Sequence, residues 1–378
     1  MDYSKVPSPC YVLNEQLLIK NLELLKKVRI EADVDIILAF KGFSMWSTFP
    51  LVRQYLSGAT ASSLYEAMLC MDEMKCKSHT YAAAYYPNEF EEIASLSSHI
   101  TFNSISEYNR YINLLNDKYP SVSPGIRVNP EYSVVETDLY NPCSPGSRLG
   151  TTIENFNGKL PDGLEGLHFH ALCESNSYDL ENVLNSFERL FGSFLPQLKW
   201  LNLGGGHLIT KQGYDVDHLI QLLKKFKAKY PNLKLIMEPG SAIAWQTGDL
   251  VSTVLDIVDN KGIKTAMLNV SFTCHMPDCL EMPYRPKVTG ATDPIIGKPT
   301  YRLGGVSCLS GDYMEAYSFE QELQPGDTII FEDMIHYTMV KTTMFNGVMH
   351  PSIAILKENG ELKVVRKFNY LDYKNRLS

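Results

Sequence analysis

Lys41 closes the apolar run Asp35-Ile36-Ile37-Leu38-Ala39-Phe40, so its amine stands at the end of a strand whose other residues belong in a core. A low-dielectric recess disfavours the ammonium form and frees the amine to attack an aldehyde. Taken alone, the same residue also reads as a lysine lying along apolar surface with its charge in water. Further along, Trp200-Leu201-Asn202-Leu203 runs into Gly204-Gly205-Gly206-His207. Glycines after a strand let backbone N–H groups approach and surround a phosphate. No Gly-Lys-Ser/Thr follows, which separates this turn from a nucleotide-binding P-loop. A plain tight turn is the other reading.

The run Leu235-Ile236-Met237-Glu238-Pro239-Gly240 puts a carboxylate at the mouth of another strand. Beside a pyridine nitrogen Glu238 would favour the protonated ring, and as pure structure it would cap a turn. The string Gly166-Leu167-His168-Phe169-His170-Ala171-Leu172-Cys173-Glu174 sets two histidines on one side of a strand. In one reading, one histidine stacks on a cofactor ring while the other is packed and hydrogen-bonded. In another the pair begins a metal site, with His207, His275 and Asp278 as recruits. A metal leaves Lys41 and the glycine turn without a role. The amine, the glycine turn and the carboxylate together read as a site for pyridoxal 5'-phosphate, with no metal. Near the end of the chain, Cys308 in Gly304-Gly305-Val306-Ser307-Cys308-Leu309-Ser310-Gly311-Asp312 offers a thiol that could protonate a carbanion, and Asp312 could hold an amine. The alternative for Cys308 is a structural thiol.

These residues need elements to position them. Helical stretches (Glu15 to Glu31, Ser63 to Glu73, Pro87 to Leu96, Ser106 to Lys118, Asp179 to Phe194, Asp215 to Lys229) alternate with strand-like runs. The strand candidates are Ile36 to Phe40, Gly58 to Ser62, Thr80 to Ala83, Ile100 to Phe102, Gly125 to Val128, Leu164 to His170, Trp200 to Leu203 and Lys234 to Met237. That rhythm predicts an α/β fold, a (β/α)8 barrel over residues 14–240 with its reactive side chains where strands end. After Gly240 short runs separated by Gly, Pro and Asp predict a mostly β domain, a sandwich or barrel, over residues 241–378. The run Pro9 to Leu13, within residues 1–13, is open between the barrel and this second domain.

The 378 residues suffice for one large or two ordinary domains, and 44% apolar with 21% charged residues is a globular composition. No run is long enough to span a bilayer and the start shows no secretory signal, so a cytoplasmic protein away from membranes is expected. Eight scattered cysteines read as reduced thiols. A net charge of −8 argues against nucleic acid and suits a cationic small molecule.

The combination resembles the fold type III, alanine racemase-like pyridoxal phosphate decarboxylases, which include ornithine and diaminopimelate decarboxylases. Within that group it is most similar to the carboxynorspermidine/carboxyspermidine decarboxylases. The resemblance runs from Pro9 to about Ser352 and rests on AFKGF around Lys41, GLHFHALCE from Gly166, LNLGGGHLIT from Leu201, CHMPDCLEMPYRP from Cys274, SCLSGDY from Ser307 and YTMVKTTMFNG from Tyr337. It implies that Lys41 bonds the cofactor, Glu238 faces the ring nitrogen, His170 stacks on the ring, and Gly204, Gly205, Gly206 and Tyr337 hold the phosphate. It also implies a homodimer with shared active sites, in which Cys308 protonates the carbon that loses carbon dioxide and Asp312 binds a distal ammonium of a carboxylated triamine. Two positions depart from the pattern. Ser241 follows Glu-Pro-Gly where relatives have an acidic residue or arginine, and Asn269 stands where aspartate is common; both are expected to contact the substrate, with fewer carboxylates weakening the hold on a polycation. Asp278 and Glu281 read either as compensating carboxylates for a polycation or as solvated or turn-capping residues, and the role of Cys173 stays open. The alternatives are a diaminopimelate or ornithine decarboxylase, a catalytically silent binding relative, or a barrel metallohydrolase.

Overall fold

A computed structural model describes residues 3, 5–135, 141–282 and 284–378; Pro283, inside the string from Cys274, lies outside them. The first strand, β1 (Cys10–Asn14), leads into the helix Glu15–Glu31. Eight parallel strands then close a barrel: β2 (Asp35–Ala39), β3 (Gly58–Ala61), β4 (Ser78–Tyr81), β5 (Ser97–Phe102), β6 (Ser123–Arg127), β7 (Gly166–His168), β8 (Trp200–Asn202) and β9 (Lys234–Met237). Closure comes from β9 pairing with β2 through Asp35↔Ile236 and Ile36↔Met237. The intervening helices start where the sequence supplies caps. Ser63 accepts from the Glu66 N–H, Ser104 from Glu107 and Asp215 from His218, while Asn176 and Asp179 form a capping box.

Trp200 fixes one layer of the barrel. Its ring occupies the space that side chains on two neighbouring strands would need. A Cβ on Gly125 would lie 2.3 Å from the ring and one on Gly166 2.0 Å from it. The indole N–H is satisfied by the Ser123 hydroxyl at 2.8 Å. Two glycines on adjacent strands are therefore the complement of one large residue, a volume match of the kind close packing demands.

Two expected elements are shorter than their hydrophobic patterns. The helix expected from Ser63 to Glu73 is α-helical only over Leu64–Leu69 and then widens into a π-type turn, Cys70–Met74. The strand expected over Leu164 to His170 ends at His168, because the following segment leaves the ladder to meet the glycine turn, where the Ser175 N–H bonds Gly206 O at 2.8 Å. The period-two argument that put both histidines on one strand face thus covers His168 and not His170.

The remaining strands are β10 (Gly248–Asn260), β11 (Ile263–Leu268), β12 (Ala291–Thr292), β13 (Thr300–Gly304), β14 (Tyr313–Phe319), β15 (Thr328–Phe331), β16 (Ser352–Leu356) and β17 (Leu362–Arg366). They form a sheet in the order β12-β14-β13-β11-β10-β1-β16-β17, with β15 also on β10. The run that the sequence left open lies here: β1 sits between β10, antiparallel, and β16, parallel, and buries Cys10 and Val12 against Val251 and Ala354. The chain divides into two compact units, Asn21–Ile243 and Ala244–Ser378 together with the segment through Lys20. The division falls inside the first helix, whose opening residue Glu15 holds Lys357 of the sheet unit at 2.5 Å. Among the described residues no helix is long and apolar enough to cross a membrane.

If Gly166 is required by the Trp200 ring, Gly166→Ala should lower stability by about 1–3 kcal/mol through overpacking. Urea unfolding monitored by circular dichroism reads the loss; an unchanged midpoint would contradict the packing account.

Candidate active site

Lys41 follows β2 on a turn in which the N–H groups of Gly42 and Phe43 return to Ala39 O at 3.0 and 3.3 Å. A Cβ on Gly42 would come 2.7 Å from Gly240 Cα, so the turn carrying Lys41 rests directly on the turn after β9. Water reaches the Lys41 side chain at the barrel mouth, yet protein surrounds it. That enclosure lowers the pKa of the amine; the Glu238 carboxylate opposes the shift and the Arg127 guanidinium adds to it. Because the amine keeps some contact with water, the depression is moderated by solvent.

Glu238 comes one residue after β9 and is 7% exposed. Asn202 Nδ2 donates to its Oε2 at 3.1 Å, and His168 Nε2 lies 3.2 Å from its Oε1. Burial pushes the Glu238 carboxyl up, but His168, Lys41 and the Asn202 amide outweigh it and hold the group at about 2. The barrel therefore keeps an ionised carboxylate in a nearly dry place. Asn202 also accepts the Gly204 N–H through Oδ1 at 2.9 Å, which ties the carboxylate to the glycine turn.

His170 stands on the opposite side of that turn. Its Nδ1 accepts the Gly205 N–H at 2.9 Å, and its carbonyl accepts from Arg127 Nη2 at 3.2 Å. Burial, reinforced by Lys41 and Arg127, lowers its pKa well below the ordinary value, so the ring is neutral with its proton on Nε2. The glycines do more than the sequence suggests, and also less. Gly204 and Gly206 have φ of 70° and 84°, and a Cβ on either would lie within 2.3 or 2.1 Å of a carbonyl oxygen, Phe169 O or Leu172 O. Their first duty is close passage against the segment after β7. Two of the three N–H groups expected around a phosphate are already committed, to Asn202 and to His170; among the described residues only that of Gly206 is not. Ser241 opens the short helix Ser241–Ala244 immediately beyond.

Three further residues complete this cluster, and His168 among them is the histidine expected to be packed and hydrogen-bonded. His168 and Asn202 fix Glu238, and Arg127, 3% exposed at the end of β6, lies with its guanidinium 4.8 Å from the centre of the Tyr81 ring. Each sits at the last position of its strand, so the strand-end rule pointed to all three while residue type singled out His168 alone. Cys173 lies beside the same region, where burial and Glu174 raise its thiol pKa and Lys41 opposes them.

The other expected residues belong to the sheet unit. Cys308 is exposed on the loop between β13 and β14, and its N–H donates to Asn346 Oδ1 at 2.8 Å. Asp312 lies on the same loop. Its Oδ1 accepts from the Thr273 N–H and its Oδ2 from the Ser307 N–H, both at 3.0 Å, so the buried carboxylate ties down the loop bearing Cys308. The Asn269 amide accepts from the Thr253 N–H at 2.9 Å and donates to Ser8 Oγ at 3.1 Å within the sheet. Asp278 differs from both. Tyr284 and Thr338 donate to its Oδ2 at 2.9 and 2.7 Å, and its buried Oδ1 has no hydrogen-bond partner among the described residues. Tyr337 opens the helix Tyr337–Val340 next to Thr338.

Because Glu238 titrates at about 2 when folded and near 4.5 ordinarily, its contribution to stability is complete above about pH 4.5 and lost as pH falls toward 2. Glu238→Gln should remove about 1–3 kcal/mol of the wild-type acid sensitivity. Urea unfolding at mildly acidic and strongly acidic pH checks this; equal acid slopes in both proteins would contradict it.

The family described as pyridoxal-dependent decarboxylase, C-terminal sheet domain, matches residues 10–335. The chain is 54% identical over 374 residues to the carboxyaminopropylagmatine decarboxylase of Synechocystis sp., covering 99% of this chain and 96% of that protein. It is 42% identical over 387 residues to the carboxynorspermidine/carboxyspermidine decarboxylase of Campylobacter jejuni, covering 100% of both. The crystal structure of Campylobacter jejuni carboxynorspermidine decarboxylase complexed with norspermidine superposes with a TM-score of 0.91 at 41% identity, over 98% of this chain and 100% of that one. The barrel mouth fits the cofactor that this family uses. It offers an amine of depressed pKa, a carboxylate kept ionised, a neutral imidazole, and beside that ring a space at Gly205 which a Cβ, 2.6 Å from Glu238 O, would close. The chain belongs to the pyridoxal-dependent decarboxylases of the barrel-plus-sheet fold, and its cofactor is pyridoxal 5'-phosphate.

Proposed function

We propose that this protein removes the carboxyl group of carboxynorspermidine or carboxyspermidine, giving norspermidine or spermidine. The observation that carries the reading is the full-length match to the Campylobacter jejuni enzyme, together with the norspermidine held in that enzyme's crystal structure. Bound at the barrel mouth, pyridoxal 5'-phosphate supplies an electron sink for the pair left behind when carbon dioxide departs. Lys41 would hold it through its amine, whose depressed pKa frees it to bond the aldehyde. Glu238, fixed by His168 and Asn202, presents its anion to the ring nitrogen, and neutral His170 forms the wall against the ring face. Gly206 and Tyr337 are the proposed phosphate contacts, with Gly204 and Gly205 shaping the turn and Ser241 the proposed substrate contact beyond it.

Cys308, exposed on its loop, is the proposed proton donor to the carbon that loses carbon dioxide, acting in the barrel of a second copy. Asp312, which ties that loop down through two backbone N–H groups, and Asp278, whose Oδ1 has no hydrogen-bond partner among the described residues, are the proposed carboxylates for a cationic tail. The eight free cysteines and the net charge of −8 support a cytoplasmic enzyme for a cationic substrate, with no nucleic acid partner. A second reading rests on the 54% identity to carboxyaminopropylagmatine decarboxylase. That compound's name describes the same carboxyaminopropyl head on an agmatine tail, which ends in a guanidinium instead of an ammonium. The head chemistry is common to both readings, so the residues of the barrel mouth do not separate them.

Purified holoenzyme offered carboxynorspermidine, carboxyspermidine, carboxyaminopropylagmatine, diaminopimelate and ornithine in parallel, with carbon dioxide trapped, tests the proposal. Gas from either triamine is expected. Gas from carboxyaminopropylagmatine alone would move the assignment to the second reading, and gas only from the two amino acids would overturn both. Asp278→Asn should raise KM for the preferred substrate about tenfold with a smaller change in kcat, as expected for loss of a charged hydrogen bond. A fall in kcat at constant KM would contradict the tail-binding role. Mixing the nearly inactive Lys41→Ala and Cys308→Ala variants, with subunit exchange, should restore about a quarter of wild-type activity if each site of a two-fold dimer draws on both chains. No recovery would contradict the shared site.

A further inference from the structure

Two thiols outside the active site face each other at the other end of the barrel. Cys70 is fully buried, Cys76 is partly exposed, and their sulfurs lie 3.7 Å apart. On a regular α-helix, residues six apart fall on different faces of the cylinder. Here the helix Leu64–Leu69 gives way to the widened turn Cys70–Met74, and Lys75, with φ of 58°, reverses the chain before β4. Those two irregularities bring the sulfurs together. A Cβ on Gly58 would lie 4.0 Å from Cys76 Sγ, which places the pair by the first residue of β3. Gly58 pairs with Ile37 on β2, whose far end leads to Lys41, so the decarboxylation machinery uses neither thiol.

We propose that Cys70 and Cys76 form a reversible thiol–disulfide site that small-molecule disulfides oxidise, with Cys76 the attacking thiol and Cys70 the resolving one. The two sulfurs differ as these roles require. A hydrogen bond from Cys70 lowers the Cys76 thiol to about 7 against the opposing effect of burial, and a backbone bond from Ala59 adds to it. That same bond to Cys76, together with burial, pushes the Cys70 thiol up. Exposure and thiolate character are what make a cysteine reactive, and Cys76 has both.

With oxidised glutathione as the oxidant, the Cys76 thiolate attacks one glutathione sulfur and a glutathione thiolate leaves with the proton that Cys76 gave up. Once Cys76 is in the mixed disulfide it no longer accepts the Cys70 S–H, so the first cause of the raised Cys70 pKa disappears. Cys70 then loses its proton and attacks the Cys76 sulfur, and the second glutathione leaves as a thiol. Two S–H bonds are replaced by one S–S bond, and the two electrons and two protons reside on two glutathione molecules. The sulfurs must close by about 1.7 Å to reach disulfide length.

The test is a peptide map of the holoenzyme after incubation with oxidised glutathione and alkylation of the remaining thiols. Trypsin cuts after Lys75, so the product is a crosslink joining two peptides, lost on reduction with dithiothreitol. In Cys70→Ser the glutathione adduct on Cys76 should rise at least tenfold over wild type, since nothing resolves it. In Cys76→Ser, Cys70 should stay alkylated as a free thiol, which carries the test if the first variant does not fold. The rate in wild type should climb as pH passes through about 7, the Cys76 value. Adducts confined to exposed Cys308, with Cys70 and Cys76 both free, would overturn the proposal, as would a wild-type adduct on Cys76 that never resolves.

Discussion

The ionised Glu238 carboxylate is the constraint around which the barrel mouth is arranged. Moving a charge out of water is costly unless hydrogen bonds and opposite charge compensate it. Here the compensation comes from three directions: the Asn202 amide, the His168 ring and the Lys41 amine. Each comes from a different part of the barrel, so the electrostatic requirement of one side chain restricts where β2, β7, β8 and β9 end. The pairing also explains why the lysine and the carboxylate are legible as a unit. The carboxylate works against the depression of the Lys41 pKa, and Arg127 and the enclosure work for it. The balance leaves the amine easier to deprotonate without losing its partner.

Backbone proximity is the second requirement, and it follows from the first. Glu238 donates its own N–H to Gly204 O at 2.9 Å, and Gly204 donates to the Asn202 side chain that holds Glu238. A loop this tight has no room for side chains, which is why Gly42 meets Gly240 and why the turn after β8 consists of three glycines. The N–H of Gly205 then sets the tautomer of His170. One connected network thus decides the charge of the carboxylate, the protonation of the imidazole and the path of the chain.

Much of this was readable in the sequence because strand ends and glycine turns have strong local signatures. Lys41, Glu238, His170 and the glycines all fall at the mouth of the closed barrel, and the eight strand candidates each hold a strand. What local pattern could not give was the use made of polar atoms by partners distant in sequence. The sequence showed Asp312 as a loop carboxylate but not that it accepts two backbone N–H groups, and it showed Asn269 as a departure but not that it joins Thr253 to Ser8. His168 was visible only as half of a histidine pair, since its relation to Glu238 depends on β7 and β9 flanking β8 in the closed barrel. The left-handed Lys75 and the turn before it had no signature at all, and they are what bring two thiols into contact.

The role proposed for Glu238 requires its carboxylate to be anionic and to face the ring nitrogen of the bound cofactor. Nitrogen NMR of holoenzyme prepared with pyridoxal 5'-phosphate labelled at its ring nitrogen tests that directly. The wild type should show a protonated nitrogen from mildly acidic to mildly alkaline pH, and Glu238→Gln should shift the signal to the unprotonated position. A ring nitrogen that is unprotonated in the wild type, or one that stays protonated in the variant, would contradict the role of Glu238 and with it the organisation of the site described above.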